Sequence, residues 1–472
     1  MRKSNLLGGA LLLAALFVNT SCKEIFGNMD LSGDTTVSSY VAINTATKTA
    51  APAEEFTLSI TKIGDGTVTW SSSDPAIAEV QGAGLSAKVI AKKSGNATIT
   101  ANVAAAGNYQ AGSAKCDVAV RVQTYDQLKD EIANASKAEK TTIYLDGTKT
   151  IEVTANLDMY EKEIAIEGNG AIISTASSFL ISKSFTLQDV KVDITGGTKQ
   201  FIQIDPNKAG KKNQDVYTDA AVKDFFLIDE ITLNKVWIKN LHNSLIDPMK
   251  LGPLALTTLN IEDCIIQLDY NTTKTFIDFS RVTPDGAPAD YPGNRGAIKN
   301  VNIKNNTIYN LQAAGAYFIR FANQSNASGA FGTKTGTSTF DHQFLNNTIY
   351  NVFPNQNFGN NTVNNKVSAI TMKDNIFGQI KNINKYVQNN QAPVITMSGN
   401  FIFGSATQSN DYTEKSKKDG DVTYKWTIAT KLDDAPFTVP TAALDLTKAN
   451  GGLNLTPSGD AAAAGDPRWI KK

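Results

Sequence analysis

The chain has 472 residues, and its 45 Lys and Arg residues balance 45 Asp and Glu residues, so the formal net charge at pH 7 is zero. A chain of this length exceeds one ordinary domain, and we therefore expect more than one folded unit. The balanced charge argues against a broad electrostatic interface, and so we expect no nucleic-acid partner.

The N-terminus has the order of a signal peptide: Arg2 and Lys3, an apolar run over residues 6–18, and then small residues up to Cys22. The motif "VNTSC" resembles a bacterial lipoprotein processing site, which implies that residues 1–21 are removed and that Cys22 carries a lipid. It also implies a lipid anchor in the outer membrane, with the protein at the cell surface. Ordinary secretion with cleavage nearby stays open as the alternative. No later stretch approaches the ~18 apolar residues that a membrane-spanning helix needs.

Residues 22–53 are small and polar, and this composition predicts a tether. Short alternating runs between turn-rich pieces then predict a β-sandwich over residues 54–122. The segments "VTWSSSDPAIAEV" and "AKKSGNATITA" resemble the bacterial Ig-like group 2 module, which implies a core position for Trp70 and a spacer or adhesive role. Cys116 and Cys264 fall in different predicted domains, so we expect no disulfide framework.

A helix is predicted in "TYDQLKDEIANASKAEK", because Thr124 can cap its first turn and Leu128, Ile132 and Ala135 fall on one stripe. The following run "TTIYLDG" predicts a strand and a turn. A helix in this place would cover the first coil of a solenoid, whose open end would otherwise expose unpaired strand edges.

The pattern "NNTIYN" occurs at residues 305–310 and again at 346–351, with looser versions around it. Aligning eight related segments gives a repeat of roughly 21 to 28 residues with insertions, which is typical of solenoid coils. Asn suits the bend of such a coil, because it tolerates left-handed backbone angles and its amide can bond the backbone. We expect a ladder of stacked amides in the later coils. The aligned column contains Asn169, Val190, Val236, Cys264, Asn306, Asn347, Asn375 and Asn400.

The cap helix, the "IYLDG" strand and the Asn bends resemble the right-handed parallel β-helix of the pectin-lyase-like superfamily over residues 124–404. The closing "AAAAGDPRW" resembles the C-terminal end of β-helical lipoproteins of unknown function from Bacteroidota-type glycan foragers. The expected fold is all-β, with an Ig-like β-sandwich followed by a right-handed parallel β-helix that has an N-terminal cap helix. We expect residues 405–472 to form a C-terminal extension that caps the β-helix, and the chain to be a monomer.

A second column runs in step with the first, through "FIQID", "LIDP", "FIDFS" and "FIRFA". If its isoleucines point inward, strand alternation turns their polar neighbours outward, with Phe side chains beside them. In pectin-lyase-like proteins the corresponding sheet carries the substrate cleft. The predicted inward residues are Ile202, Ile246, Ile277 and Ile319. The predicted ligand-binding residues are Gln203, Asp247, Phe276, Asp278, Phe318 and Arg320.

Long insertions follow these strands and are expected to wall one side of the sheet with further aromatic residues. Aromatic faces beside amide and charged groups suit a sugar chain, which offers apolar ring faces and hydroxyl edges. The alternative is that the outward Phe residues pack under these loops. The insertions are residues 208–224, 283–295 and 323–341, and they bring Tyr217, Tyr291 and Phe331.

Asp247 and Asp278 fall one coil apart, which places their backbones about 4.8 Å from each other. Three interpretations stay open: a Ca²⁺ site, a carboxyl pair poised for acid/base chemistry, or an ion pair between Asp278 and Arg320. No other cofactor is expected. A polygalacturonase-like site would need a Gly-His-Gly turn, whereas His242 and His342 stand in "NLHNS" and "FDHQF".

The sequence therefore favours a cell-surface lipoprotein that binds polysaccharide through its β-helix, as an accessory of glycan uptake and degradation. One alternative is a β-helical polysaccharide lyase or glycoside hydrolase, against which the missing motifs weigh. The other alternative is an adhesin that binds host or matrix protein. Fold analogy does not decide between them, because this scaffold hosts both enzymes and binders.

Overall fold

Two compact units make up the part of the chain that a computed structural model describes. One comprises residues up to 48, 55–90 and 97–118, and the other comprises residues 49–54, 91–96 and those from 119 onward. The described residues are 36–197, 200–205, 226–248, 254–279, 296–312, 314–321, 340–354, 358–361, 367–381, 383, 386, 394–404, 414–419, 422–427 and 429–470.

The N-terminal strands form an antiparallel β-sandwich. Its two four-stranded sheets have the orders β1-β3-β6-β5 and β2-β8-β7-β4. Buried and exposed residues alternate along most of these strands, as expected when one face of each sheet covers a core. The strands are β1 (Tyr40–Ile43), β2 (Thr47–Ala50), β3 (Glu55–Ile63), β4 (Val68–Ser72), β5 (Ala78–Gln81), β6 (Ser86–Ala91), β7 (Gly95–Val103) and β8 (Gly112–Val120).

The sandwich begins earlier than the predicted tether boundary allows. Strands β1 and β2 fall inside residues 22–53, and β1 pairs antiparallel with β3, Tyr40 opposite Ile63. Both strands are only four residues long, and β1 has the uninterrupted apolar sequence YVAI, so neither shows the polar–apolar alternation that would identify it from the sequence. Trp70 packs half-buried against the sandwich core, and its indole N–H donates to the Gly84 carbonyl over 3.0 Å.

The predicted cap helix is present as α1 (Tyr125–Asn134). The Thr124 hydroxyl accepts a hydrogen bond from the Gln127 amide over 3.3 Å, which satisfies one free donor of the first turn. Leu128 and Ile132 are buried in the core that the β-helix encloses. The helix therefore covers the first coil, as the sequence indicated.

The rest of the described chain forms a parallel β-helix with three long sheets, which confirms the predicted fold class. Its first strands are β9 (Thr141–Tyr144), β10 (Thr150–Val153), β11 (Leu157–Met159), β12 (Ile164–Glu167), β13 (Ile172–Thr175), β14 (Phe179–Ile181), β15 (Phe185–Gln188), β16 (Lys191–Ile194), β17 (Ile202–Ile204), β18 (Phe226–Asn234), β19 (Trp237–Leu241), β20 (Ile246–Pro248) and β21 (Leu254–Glu262). They continue with β22 (Ile265–Leu268), β23 (Ile277–Phe279), β24 (Gly296–Lys304), β25 (Thr307–Asn310), β26 (Ile319–Phe321), β27 (Phe340–Leu345), β28 (Thr348–Tyr350), β29 (Gly359–Asn361), β30 (Val367–Lys373), β31 (Ile376–Gly378), β32 (Val394–Ser398) and β33 (Phe401–Phe403). A hairpin of β34 (Glu414–Asp419) and β35 (Val422–Thr427) and the two-residue β36 (Thr430–Lys431) follow.

Each coil passes through the three sheets in turn. Within the described residues, sheet 1 has nine strands from β9 to β32, sheet 2 has ten from β10 to β36, and sheet 3 has seven from β11 to β29. From β12 to β31, each strand therefore stacks on the strand three places earlier, for example Ile303 of β24 on Ile261 of β21. One continuous apolar core fills the interior.

The bend between sheets 1 and 2 carries the predicted amide ladder. The side-chain amides are buried and bond from coil to coil, which confirms the register of the later repeats. Each Nδ2 donates to the next Oδ1: Asn306 to Asn347 over 3.0 Å, Asn347 to Asn375 over 2.9 Å, and Asn375 to Asn400 over 2.9 Å. Val190, Val236 and Cys264 take the column position in earlier coils and are buried there.

Two details of this column differ from the prediction. The left-handed backbone belongs to the residue before the column position, such as Asn305 with a φ of 57° and Asn346 with a φ of 53°. Asn169 is exposed and is itself left-handed, so it does not occupy the column. Ala171 does, because it is buried and its carbonyl accepts from the Lys191 amide, as column carbonyls do in later coils. The first bend, between Glu167 and Ile172, is two residues longer than the next one, so its column position falls two residues later than the sequence predicts.

The C-terminal segment returns along the outer face of sheet 2. Strand β36 extends that sheet beside β33, and the chain then contains three short 3₁₀ helices, Ala449–Gly452, Gly459–Ala461 and Pro467–Trp469. Leu444, Leu455 and Trp469 pack on outward side chains of sheet 2, including Tyr309 and Tyr350. The extension predicted from residue 405 onward thus covers a sheet face over its described part.

Candidate functional site

Sheet 3 aligns the second column as the sequence predicts. Ile202 pairs with Ile246, Ile246 with Ile277, and Ile277 with Ile319, and all four side chains are fully buried. The polar residue after each isoleucine therefore leaves the sheet on its outer side. Gln203 stands opposite Asp247, and Asp278 stands opposite Arg320.

The Phe residues of this column point inward, so their predicted contact with ligand is wrong. Phe276 and Phe318 are fully buried, and their ring centroids lie 5.1 Å apart. Phe318 also stacks on Phe358 at 4.8 Å. Strand alternation begins only at the isoleucine, whereas each Phe lies at the corner where the chain turns into sheet 3. A residue at such a corner faces the interior together with its neighbour, as Phe201 does.

The outward polar residues line a cleft of about 350 Å³ on sheet 3. Two carboxylates, two cations, one phenol ring, three hydroxyl groups and one side-chain amide line it. The size falls in the range of ligand pockets. The cleft is lined by Asn243, Ser244, Asp247, Thr273, Lys274, Thr275, Asp278, Ala316, Tyr317 and Arg320.

The two carboxylates are almost completely buried, at 5% exposure for Asp247 and 4% for Asp278. Carboxylates are rarely buried to this extent unless hydrogen bonds or cations compensate for the lost water. An amide relay on the side of the earlier coil supplies part of this support. Gln200 Nε2 donates to Asp247 Oδ2 over 3.2 Å, and Gln203 Nε2 donates to Gln200 Oε1 over 2.5 Å. Gln203 thus acts on the cleft through Gln200 and does not itself line it.

Arg320 and Tyr317 form one unit at the opposite side. The guanidinium carbon lies 5.7 Å from the centroid of the Tyr317 ring, a cation–π distance. Both side chains are half-buried, so the ring and the guanidinium remain accessible from the cleft. This unit offers an aromatic face beside a planar hydrogen-bond donor.

Deeper contacts hold the floor of the cleft in place. The Tyr270 hydroxyl is buried and donates to the Asn243 carbonyl over 2.9 Å. Burial raises the pKa of Tyr270 well above its ordinary value, so this group stays a neutral donor. The Asn310 side chain in turn accepts from the Tyr270 amide over 3.1 Å. The segment that carries Asn243 and Ser244 is therefore pre-positioned by the core.

Sequence reasoning missed six lining residues that occupy two adjacent positions of the repeat. Asn243 and Ser244, Lys274 and Thr275, and Ala316 and Tyr317 all stand three and two residues before the isoleucine of their coil. Extending the aligned column by these positions would have found Tyr317. In each coil a bulky apolar residue separates these positions from the isoleucine and interrupts the polar pattern.

Neither histidine lines the cleft. His242 Nδ1 lies 3.3 Å from Asp269 Oδ2 at the surface. His342 is enclosed in the interior, where its ring nitrogens meet the Tyr386 hydroxyl and the Ile298 carbonyl. Burial lowers the pKa of His342 to about 4, so the ring is neutral at physiological pH.

Several predicted features lie outside the described residues, namely Cys22, Tyr217, Tyr291 and Phe331. In the ranges given above, no helix is long and apolar enough to span a bilayer. The same ranges contain no cluster of three or more His, Cys, Asp or Glu side chains that could hold a metal ion. The Ca²⁺ alternative would thus draw on Asp247 and Asp278 as its carboxylate donors.

Comparison with known proteins assigns no relative to this chain. No family model, no curated protein and no solved structure matches it. The cleft on sheet 3 must therefore be interpreted from its own residues.

Proposed function

We propose that the chain is a cell-surface lipoprotein that binds a polysaccharide in the sheet 3 cleft and serves as an accessory of glycan uptake and degradation. The observation that carries this proposal is the Tyr317 ring, held beside Arg320 and opposite two buried carboxylates. A sugar ring has an apolar face that stacks on an aromatic ring. Its hydroxyl edge bonds carboxylates, amides and guanidinium groups.

The composition of the lining favours a sugar over other ligand classes. Asp247 and Asp278 offset Lys274 and Arg320, so the lining carries no net charge that would select a polyanion or a polycation. Most remaining groups are hydroxyls and amides, which are poor partners for an apolar ligand. A polyhydroxylated chain uses all of them.

The remaining parts of the chain fit a surface-anchored binder. A lipid on Cys22 would hold the protein at the outer membrane, and the β-sandwich would serve as a spacer. The open cleft lies on a rigid solenoid, whose short sheet 3 strands fix the spacing of the binding residues. Such a scaffold presents a ligand site without having to fold around each ligand.

Retention on a polysaccharide panel tests this proposal. The purified mature protein is run through gels that contain neutral or acidic polysaccharides, beside Tyr317→Ala, Tyr317→Phe and a matched control, Tyr40→Ala. Tyr40 is an exposed tyrosine of the sandwich. We expect retention of the wild type, a loss of at least severalfold for Tyr317→Ala, and little change for the other two. Equal retention of Tyr317→Ala and wild type would show that the ligand does not use this cleft.

A glycan-cleaving enzyme is the second candidate, because two nearly buried carboxylates stand on adjacent coils beside Lys274 and Arg320. Glycosidases use a pair of carboxyl groups, one as general acid and the other as base or nucleophile. The same panel decides between the two functions. If the wild type releases unsaturated or new reducing ends and Asp247→Asn or Asp278→Asn does not, the protein is an enzyme and not only a binder.

A further inference from the structure

A second cleft lies on sheet 2, next to the C-terminal segment. Its volume is about 680 Å³, nearly twice that of the candidate site. It belongs to a different sheet of the β-helix and shares no lining residue with the first cleft. The residues that matter here are Asp189, Lys191, Lys235, Trp237, Asp263 and Arg468.

Trp237 provides an aromatic wall that is fixed in place. It lies on the outer face of strand β19, paired between Lys191 of the preceding coil and Ile265 of the next. The Lys191 ammonium lies 5.1 Å from the ring centroid and donates to the Leu446 carbonyl over 2.8 Å. The indole stays only half-buried beside the cleft. A large ring that is held rigidly and left partly open to water is typical of a binding surface.

Three charged side chains stand in a row along one wall. Asp189, Lys235 and Asp263 occupy the bends of consecutive coils, with φ values of 49°, 55° and 55°. Backbone bonds from Asp189 to Asn234 and from Lys235 to Glu262 stack these bends on each other. Coil spacing therefore places the backbones of these residues about 4.8 Å apart.

Lys235 is an unusual residue for such a bend. Asn, Asp or Gly occupies the equivalent left-handed position in every other bend from Asp189 to Gly399 that the structure describes. A left-handed backbone is unfavourable for a side chain that gains no local hydrogen bond there. Because strained backbone positions cluster at ligand sites, the left-handed Lys235 on the wall of the cleft is a candidate for contact with a ligand.

The charges around the cleft cancel. Lys191, Lys235 and Arg468 offset Asp189, Asp263 and Asp466 among the lining residues. Arg468 Nη1 pairs with Asp466 Oδ2 at 2.7 Å. A polyanion or polycation would meet like charges here, whereas an uncharged polyol would find donors and acceptors of both kinds beside an aromatic face.

We infer that this cleft binds an uncharged sugar ring, stacked on Trp237 and hydrogen-bonded through its hydroxyls to Asp189, Lys235 and Asp263. This inference rests on the proposed function, because it gives the polysaccharide binder a second site. Sheets 2 and 3 face different directions, so the two sites hold separate segments of a chain or separate chains. Two linked sites raise the apparent affinity for a long polymer without any new contact at either one.

The experiment compares Trp237→Ala, Trp237→Phe, Lys235→Gly and Tyr317→Ala on a gel series with neutral polysaccharides. We expect Trp237→Ala to weaken retention at least fivefold, and Trp237→Phe to keep most of it, since the stacking face remains. Lys235→Gly should weaken retention about twofold while its melting temperature stays equal or rises, because Gly relieves the left-handed backbone. If Trp237→Ala does not fold, the retention of Lys235→Gly and the tryptophan emission of Trp237→Phe test the second site instead. For Trp237→Phe we expect no change in tryptophan emission on titration with a neutral oligosaccharide that changes the emission of the wild type.

The outcomes separate the two proposals. Wild-type retention of Trp237→Ala and Lys235→Gly, together with loss in Tyr317→Ala, overturns the second site and leaves the first. Loss in Trp237→Ala with normal retention of Tyr317→Ala overturns the first site and supports the second. Absence of retention on every glycan overturns both.

Discussion

Asn347→Leu tests the amide ladder most directly, because this side chain sits in its middle. Asn347 is fully buried and makes four side-chain hydrogen bonds. Its Oδ1 accepts from the Asn306 amide at 3.1 Å and from Asn306 Nδ2 at 3.0 Å. Its Nδ2 donates to the Ile303 carbonyl at 2.8 Å and to Asn375 Oδ1 at 2.9 Å. Leucine has a similar size and removes all four.

The expected loss of unfolding free energy is about 2 to 4 kcal/mol. Each bond contributes roughly 1 kcal/mol net, and the Asn306 backbone N–H would be left buried without this acceptor. Burial of the leucine methyl groups offsets part of the loss. The measurement is the urea midpoint of the β-helix transition at a constant m-value.

The matched control is Asn302→Leu, the same change at a half-buried, outward position with one bond of 2.9 Å to Asn260 Oδ1. We expect a change within roughly 0.5 kcal/mol for this control, as for most surface substitutions. Equal midpoints for Asn347→Leu and Asn302→Leu would refute the argument that the ladder stabilises the solenoid.

Three further predictions concern other parts of the chain. Phe318→Ala should destabilise the β-helix by roughly 3 to 5 kcal/mol, because it removes the ring between Phe276 and Phe358. Thermal melting measures this loss. A normal melting temperature together with lost glycan retention would instead show that Phe318 contacts the ligand. Cys22→Ala should move the protein from the membrane to the soluble fraction and abolish acyl labelling, whereas persistent label would reject the anchor. Burial raises the pKa of Asp466 to about 6, above the ~3.9 of an unfolded Asp, so its contribution to stability is present at low pH and is lost as pH rises from about 4 to 6. In Asp466→Asn this part of the stability–pH curve should flatten, and an unchanged slope would contradict the raised pKa.

The fold was predictable because a solenoid repeats its local rules. Many coils share a left-handed residue and a buried column position, and four consecutive coils share an inward isoleucine in sheet 3. The same letters therefore recur, and their alignment gives the register. The strand pairs Ile246–Ile277 and Asp278–Arg320 follow from this alignment alone. Local alternation therefore suffices to predict that Asp247, Asp278 and Arg320 point outward, and the structure brings these three side chains to one cleft.

The direction of the Phe residues was not predictable from alternation. A period of two holds inside a strand, but each strand of sheet 3 has only three residues, and Phe276 and Phe318 lie one position before it. At a corner the chain changes direction, and two consecutive side chains can face the interior. The return of the C-terminal segment along sheet 2 was equally hidden, because it depends on contacts between residues far apart in sequence, such as Lys191 and Leu446.

The repeated hexapeptide at 305–310 meets two kinds of constraint, one from its own coil and one from residues far apart in sequence. Its first Asn supplies the left-handed backbone, its second Asn joins the ladder, and its Ile fills the interior. These three roles are local and recur in many coils.

Two other residues of the hexapeptide, Thr307 and Tyr309, contact the C-terminal segment. The Thr307 hydroxyl donates to Asp466 over 2.7 Å and accepts from the Trp469 indole N–H over 2.7 Å. One coil later Thr348, the same letter of the second copy, accepts from the Asp466 backbone amide over 3.1 Å. The Tyr at position 309 lies outward under the same segment. The pattern is therefore repeated in two adjacent coils that pack both against the interior and against the C-terminal segment. That returning chain also brings Arg468 to the wall of the sheet 2 cleft, so the segment that closes the fold also completes the second proposed site.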